Sequence, residues 1–396
     1  MKKVILLFIF FILASYSASA FDSNDLVLVI YYEGEDGRGD EAAVNLGDVE
    51  EIDFSETNLI LLETGTISLE ENSLDRENWE GLYMGVFACD LDIVGNIWHA
   101  TTLNRTETMS PNSSIASFHA AAGSIYSQYS DSSSFFYKGE ATDWLSYDTK
   151  MNSNSNAPGY YAGFNSKHQA YGEADLSDLV STGYEDMYIY HYETITEPEY
   201  SWGLNRGSDE NTDYTAVIRL IADGRVILNP DDITLELNSG WNLISFFHQP
   251  FSKGIETILK SIEGKYYSVW SYNQGNWMVF DPENPIFSDL DTLKQGTGYW
   301  VNMKEACFIT IAGEEAPGSV DLQSGWNLVG FNTSETKPVS EAISSISDSL
   351  ISVWSYEGGL WKVYDPSNPI FSDLNQMEPG SGYWMNMSSP SVWILP

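Results

Sequence analysis

The sequence is poor in cysteine, in basic residues and in histidine. Its 396 residues include two cysteines, Cys89 and Cys307, and 18 Lys and Arg against 57 Asp and Glu. Two cysteines that fall in different segments of the chain exclude a disulfide scaffold and fit buried, unpaired thiols. The shortage of basic residues leaves a formal net charge of −39. A charge of that size and sign repels nucleic acid and anionic lipid, so neither is expected as a partner. His119 has no second His or Cys at ligand spacing and reads as an ordinary packed or partly exposed side chain. No nucleophile, metal or phosphate motif is recognisable, so no catalytic residue is assigned and the protein is not expected to be an enzyme. Beyond the first 20 residues no stretch is long and apolar enough to cross a bilayer, so no membrane insertion is expected. The final residues, 391–396, carry neither a hydrophobic tail nor a basic stop.

The sequence is richer in export and packing signals. Lys2 and Lys3 precede an apolar run over 4–14 and a Ser-Ala-Ser-Ala segment before Phe21. This is the order of a secretory signal peptide, which assigns 1–20 to a leader and the protein to the outside of a bacterial cell or its surface. Hydrophobic residues make up 43% of the chain and aromatic residues 14%. That composition suffices for packed cores despite the charge.

The strongest internal signal is a duplication. Residues 269–303 read VWSYNQGNWMVFDPENPIFSDLDTLKQGTGYWVNM and residues 353–387 read VWSYEGGLWKVYDPSNPIFSDLNQMEPGSGYWMNM, with 22 of 35 positions identical. The offset is 84 from Trp270/Trp354 through Trp277/Trp361 to Trp300/Trp384. The repeat starts earlier, since Leu237-Asn-Ser-Gly-Trp-Asn-Leu-Ile244 matches Leu322-Gln-Ser-Gly-Trp-Asn-Leu-Val329. Each copy predicts an opening strand and then a helix, carried by Ile255, Ile258, Leu259 and Ile262 or by Val339, Ala342, Ile343 and Ile346. A hairpin over 268–280 or 352–364, an extended Asp-Pro-x-Asn-Pro loop and a closing Gly-Tyr-Trp strand complete it. Two small tandem α+β domains, 233–314 and 318–396, are therefore expected.

Residues 21–230 read differently. Strand-like runs at 25–32, 59–62, 66–69, 82–88, 184–192 and 216–221 alternate with loops, and Asp223-Gly224 turns the last into Val226-Ile-Leu228. Many short strands of this kind predict an antiparallel β-sandwich of jelly-roll type. One inserted helix is expected, with Ile115, Phe118, Ala122, Ile125 and Tyr129 along one side and Ser113 and Ser114 at its start. The fold expected for the whole chain is thus mainly β.

Two sets of residues recur in both copies in a form that suits binding. Trp270, Tyr272 and Trp277, with Trp354, Tyr356 and Trp361, share one side of each hairpin, because residues two apart on a strand point the same way. That side is either a sugar-stacking platform or the core. The opposite side holds Met278 and Phe280 in one copy and Lys362 and Tyr364 in the other. A position that takes both Met and Lys reads as solvent-facing, so the aromatic side is expected to be core. Asp281, Asn284 and Asp289, with Asp365, Asn368 and Asp373, lie on or beside the proline loops. Their oxygens would suit calcium, and turn and capping hydrogen bonds explain them equally well. The Arg38-Gly39-Asp40 tripeptide reads as a charged turn, and Asn104, Asn112, Asn332 and Asn386 begin glycosylation sequons that matter only in a host that glycosylates.

The succession Ser-Gly-Trp-Asn-Leu, Val-Trp-Ser-Tyr and Gly-Tyr-Trp over 233–396 resembles the repeated C-terminal modules of secreted and surface proteins in bacteria and archaea. The segments Asp25-Leu-Val-Leu, Val44-Asn-Leu-Gly47, Gly163-Phe-Asn165 and 219–230 resemble exported proteobacterial proteins that often end in a cell-surface sorting signal. Both resemblances imply an extracellular setting, and neither supplies catalytic residues. The function expected is non-enzymatic: surface assembly, matrix or adhesion, through surface or matrix proteins or self-association. Polysaccharide binding through the aromatics is the alternative, and a hydrolase with carboxylates hidden among the acids is a third. No cofactor is expected apart from possible calcium.

Overall fold

In a computed structural model the described residues are 21–32, 40–63, 79, 81–93, 96–102, 113–130, 136–140, 147, 173–193, 203–204, 215–252, 254–315 and 318–395. The expected leader at 1–20, Arg38 and Gly39 of the tripeptide, the expected strand at 66–69, the sequons at Asn104 and Asn112 and the segment 163–165 lie outside them. The chain divides into two units, Met1–Ser177 with Asp186–Asn229, and Asp178–Glu185 with Pro230–Pro396. Both are mainly β, as expected.

The first unit contains β1 (Asp25–Tyr31), β2 (Asp40–Asp48), β3 (Leu59–Leu62), β4 (Tyr83–Cys89), β5 (Ile97–Thr101), β6 (Phe136–Glu140), β7 (Ala174–Asp175), β8 (Tyr184–Glu193), β9 (Gly203–Leu204), β10 (Ala216–Ile221) and β11 (Val226–Leu228). They join in one sheet, ordered β3-β11-β10-β8-β5-β4-β1-β2-β6, with β7 on β4 and β9 on β8. β3, at one end of this order, comes back against β2 near the other, so the sheet curls. The Asp223-Gly224 turn forms as predicted, pairing Leu220 with Val226. Helix α1 (Ser113–Tyr129) lays Phe118, Ala122, Ile125 and Tyr129 against Val27, Val29 and Phe87 in a closed apolar core.

Tyr126 and Glu41 show how buried polar groups in that core are partnered. The Tyr126 hydroxyl donates to the Asp25 carbonyl oxygen at 2.8 Å and accepts from the Cys89 N–H at 3.0 Å. Buried Glu41 accepts from the Tyr129 hydroxyl and, at 3.0 Å, from the Tyr147 N–H. Burial pushes the Cys89 thiol up to about 12, so it is an inert packing group, and both cysteines are free. His119 sets its Nε2 3.1 Å from the Leu91 carbonyl oxygen, a packed position of the kind expected.

The second unit holds the two copies. The first comprises β12 (Ile233–Leu237), β13 (Gly240–Ser245), β14 (His248–Pro250), the short helix α2 (Ile255–Ile258), β15 (Tyr266–Asn273), β16 (Asn276–Phe280), β17 (Gly298–Met303), β18 (Cys307–Ile311) and β19 (Gly313–Glu315). The second comprises β20 (Ser319–Leu322), β21 (Gly325–Gly330), β22 (Lys337–Pro338), the short helix α3 (Val339–Ala342), β23 (Leu350–Glu357), β24 (Leu360–Tyr364), β25 (Gln376–Met377), β26 (Gly382–Met387) and β27 (Ser391–Ile394). Each copy is built on a four-stranded antiparallel sheet, β13-β17-β15-β16 or β21-β26-β23-β24, beside a two-stranded ladder, β12-β18 or β20-β27. The expected helical stripes, Ile255 to Ile262 and Val339 to Ile346, are buried in two separate cores. No helix among the described residues is long and apolar enough to cross a membrane.

Candidate functional site

The Ser-Gly-Trp-Asn motif is a device for presenting tryptophan. Gly240 and Gly325 both sit at φ +89°, in the left-handed region that a side chain resists. Asn242 then clamps the turn: its Oδ1 accepts from the Asn238 N–H at 2.8 Å and its Nδ2 donates to the Asn238 carbonyl oxygen at 2.7 Å. Asn327 does the same to Gln323, at 2.8 Å for both bonds. Between each Gly and Asn stands a tryptophan, Trp241 or Trp326, at the start of an edge strand.

The neighbouring strands add more rings on the same face. Tyr272 pairs with Trp277 and Trp270 with Val279 across the hairpin, and Trp270 also pairs with Trp300. This hairpin register is the one read from the sequence. The copy-two register, Tyr356 with Trp361 and Trp354 with Trp384, is identical. Trp270 and Trp354 are steered by their own strands, their indole N–H groups donating to Ser268 Oγ at 2.9 Å and Ser352 Oγ at 3.0 Å.

The expectation that this aromatic side is core is overturned. Val269, Val301 and Phe280 fill the core of copy one, with Met278 against them, while Trp270, Tyr272, Trp277 and Trp300 point the other way. Trp241, Trp277, Trp326 and Trp361 remain 45–50% exposed. The inference failed at Lys362. A lysine can rest its stem beside a core and keep its ammonium in water; here the ammonium reaches Glu357 at 2.6 Å, which raises the lysine pKa.

The aromatic faces of the two copies meet around a pseudo-two-fold axis. Ser245 N–H donates to the Gly380 carbonyl oxygen at 2.8 Å, and the counterpart Gly330 N–H to the Gly296 carbonyl oxygen at 3.1 Å. The glycine of each Gly-Tyr-Trp motif makes this approach possible. A Cβ on Gly382 would lie 2.7 Å from the Ile244 carbonyl oxygen, and one on Gly298 would lie 3.0 Å from that of Val329. With the strands this close, Trp300 packs on Tyr356 and Trp361, while Trp384 packs on Tyr272 and Trp277.

Two clefts result. One, of about 540 Å³, is lined by Trp241, Trp270, Trp277 and Trp300 with Tyr356 of the other copy. The second, of about 530 Å³, is lined by Trp326, Trp354, Trp361 and Trp384 with Tyr272, and Trp277 also reaches it. Among the described residues no charged side chain lines either. Polar hollows adjoin them: one of about 580 Å³ includes Tyr272, Asn273, Gln274, Gln323 and Asn327, and one of about 710 Å³ includes Trp241, Tyr356, Asn238, Asn242 and Glu357. An apolar floor with nearby amides and hydroxyls suits a ligand that has flat C–H faces and a polar rim.

All six aromatic residues singled out from the sequence thus lie at the clefts. Trp241, Trp300, Trp326 and Trp384 were missed as site residues, although each sits in a motif that both copies keep. The acids have another use. Asp281 Oδ1 accepts from the Glu283 N–H at 2.9 Å and the Asn284 N–H at 3.2 Å, and its Oδ2 accepts from Asn284 Nδ2 at 3.0 Å, which lowers the Asp281 pKa. Asp289 accepts from the Val279 N–H at 2.7 Å. Asp365, Asn368 and Asp373 repeat the pattern, so turn and strand-end hydrogen bonds account for the recurrence. Among the described residues no group of three or more His, Cys, Asp or Glu is placed to hold a metal ion. Against known proteins, no family model, no curated protein and no solved structure matches this chain.

Proposed function

We propose that this chain acts outside the cell, at a bacterial surface, as a non-enzymatic adhesion or surface-assembly protein, and that its repeat pair holds carbohydrate. The observation that carries this reading is the pair of tryptophan-lined clefts. Half-exposed indoles clustered on one surface are costly to leave in water and mark a binding site. The C–H faces of a pyranose pack on indole faces, and the hydroxyl rim can reach the adjoining amides. The leader over 1–20 supports the extracellular setting.

A glycan array probed with the full mature chain, followed by affinity electrophoresis in polysaccharide gels, tests the proposal. Retention by at least one polysaccharide is expected, and Trp361→Ala should weaken it while the circular dichroism spectrum stays that of the parent. A folded chain that no glycan retains would remove the carbohydrate reading.

A second surface favours assembly with protein partners. The Asp-Pro-x-Asn-Pro loops hold Ile286 with Phe287, and Ile370 with Phe371, each at least three-quarters exposed. Apolar pairs held out on braced turns are suited to insertion into a partner's surface. Light scattering should report assemblies that Phe287→Asp with Phe371→Asp dissociates; a monomeric parent chain would remove this reading.

A further inference from the structure

The eight cleft tryptophans form two rows that run from one copy into the other. In the first row Trp270 meets Trp277 at 6.3 Å between ring centroids, Trp277 meets Trp384 at 5.7 Å, and Trp384 meets Trp326 at 6.1 Å. In the second, Trp241 meets Trp300 at 6.1 Å, Trp300 meets Trp361 at 5.7 Å, and Trp361 meets Trp354 at 6.3 Å. The middle step of each row crosses from copy to copy. Trp277 lines both clefts, so the two adjoin across the axis.

From this continuity we infer that the repeat pair binds one uncharged, soluble polysaccharide chain laid across both clefts, and not two separate small sugars. The inference rests on the carbohydrate reading above and names its ligand class. Three features of the rows set that class. The spacing of the rings is on the order of one sugar residue, so successive rings can serve successive residues of one chain. Adjacent rings are steeply inclined, by 77°, 62° and 84° along the first row and by 85°, 63° and 76° along the second. Inclined rings offer notches and no flat platform, which fits a single chain with turns in it and does not fit the planar face of a crystalline polymer.

Charge sets the third limit. Among the described residues the cleft linings carry no charged side chain. One adjoining hollow holds Asp289, Asp291 and Asp321 with Lys294, and the other holds Glu236, Glu357 and Glu378 with Lys362. With the chain at −39 overall, an acidic polysaccharide would be repelled on approach and would find no counter-ion in the clefts. A neutral chain meets neither obstacle. Laying one chain over two joined sites also converts the second contact into an intramolecular one, so affinity should climb steeply with length.

Titration calorimetry on the full mature chain tests this. The probes are neutral gluco-, manno- and xylo-oligosaccharides from disaccharide to decasaccharide, with polygalacturonate as the charged counterpart and crystalline cellulose as the planar one. The expected result is one chain bound per protein, affinity rising with length for at least one neutral series, and little binding of the charged or planar probes. Trp241→Ala and Trp326→Ala stand at the ends of different rows in different copies, and each should weaken the longest ligand about tenfold. Two short saccharides per protein with no gain from length, loss from only one of the two substitutions, or preference for a charged or crystalline probe would overturn the inference. Near-UV circular dichroism of each variant separates loss of binding from loss of fold. If no saccharide of any kind binds the folded chain, the failure lies with the carbohydrate reading itself.

Discussion

The two faces of the repeat sheet have diverged at different rates since the duplication. On the core side, Met278 faces Lys362 as its counterpart, Phe280 faces Tyr364, Val301 faces Met385, and Ile309 faces Trp393. On the aromatic side Trp241/Trp326, Trp270/Trp354, Tyr272/Tyr356, Trp277/Trp361 and Trp300/Trp384 are all unchanged. A core tolerates exchanges that keep volume and apolarity, because its neighbours repack together. The aromatic side has less room to change, because Trp300, Trp384, Tyr272, Tyr356, Trp277 and Trp361 pack on the other copy as well as their own. Identity between two copies therefore marks the surface they share, and reading it as burial put the wrong face inside.

The comparison is broken most severely from the core side. Trp393 is fully buried and its indole N–H donates to the Ala342 carbonyl oxygen at 2.7 Å. Trp393→Ala should cost about 3–5 kcal/mol in denaturant unfolding, and an unchanged midpoint would show that copy two does not depend on this core. Next comes the shared surface. In Gly382→Val the new side chain must push against Ile244 and Leu243, where even a Cβ would meet atoms at 2.7 and 2.9 Å. The expected cost is about 1–3 kcal/mol, with a separate, earlier unfolding step as the copies part; a single transition at the parental midpoint would contradict the close approach. Trp361→Ala removes a half-exposed ring and should cost only about 1–2 kcal/mol while weakening saccharide retention. Lys362→Met, which makes copy two resemble copy one, should change stability by less than about 1 kcal/mol, since the pair it breaks with Glu357 is solvent-exposed. A loss of several kcal/mol there would mean that the lysine is part of the core after all.

Much of the repeat was legible in the sequence because its signals are local. The hairpin turns, the short helical stripes and the hairpin register all follow from spacing over a few residues. What escaped was non-local. Nothing in Gly298 or Gly382 alone announces that another backbone passes within van der Waals distance, and without that contact the aromatic face has no reason to stay outside a core. The first unit shows the same limit. β2, with the sequence DEAAVNLGD, has Val44 as its one β-branched residue and no aromatic, yet it pairs between β1 and β6 and buries Ala42, Ala43 and Val44. Tertiary pairing overrides its weak propensity. β5 and β6 were missed as well: both are five-residue runs, β5 pairing with nearby β4 and distant β8, and β6 with distant β2.

The most direct test is ¹⁹F NMR of the full chain labelled with 5-fluorotryptophan, with signals assigned by single substitutions, during titration with whichever neutral oligosaccharide binds. The account predicts shifts in the signals of Trp241, Trp277, Trp326 and Trp361 together, with those of buried Trp98 and Trp393 unmoved. Shifts confined to one copy, or found only at tryptophans outside the clefts, would contradict it.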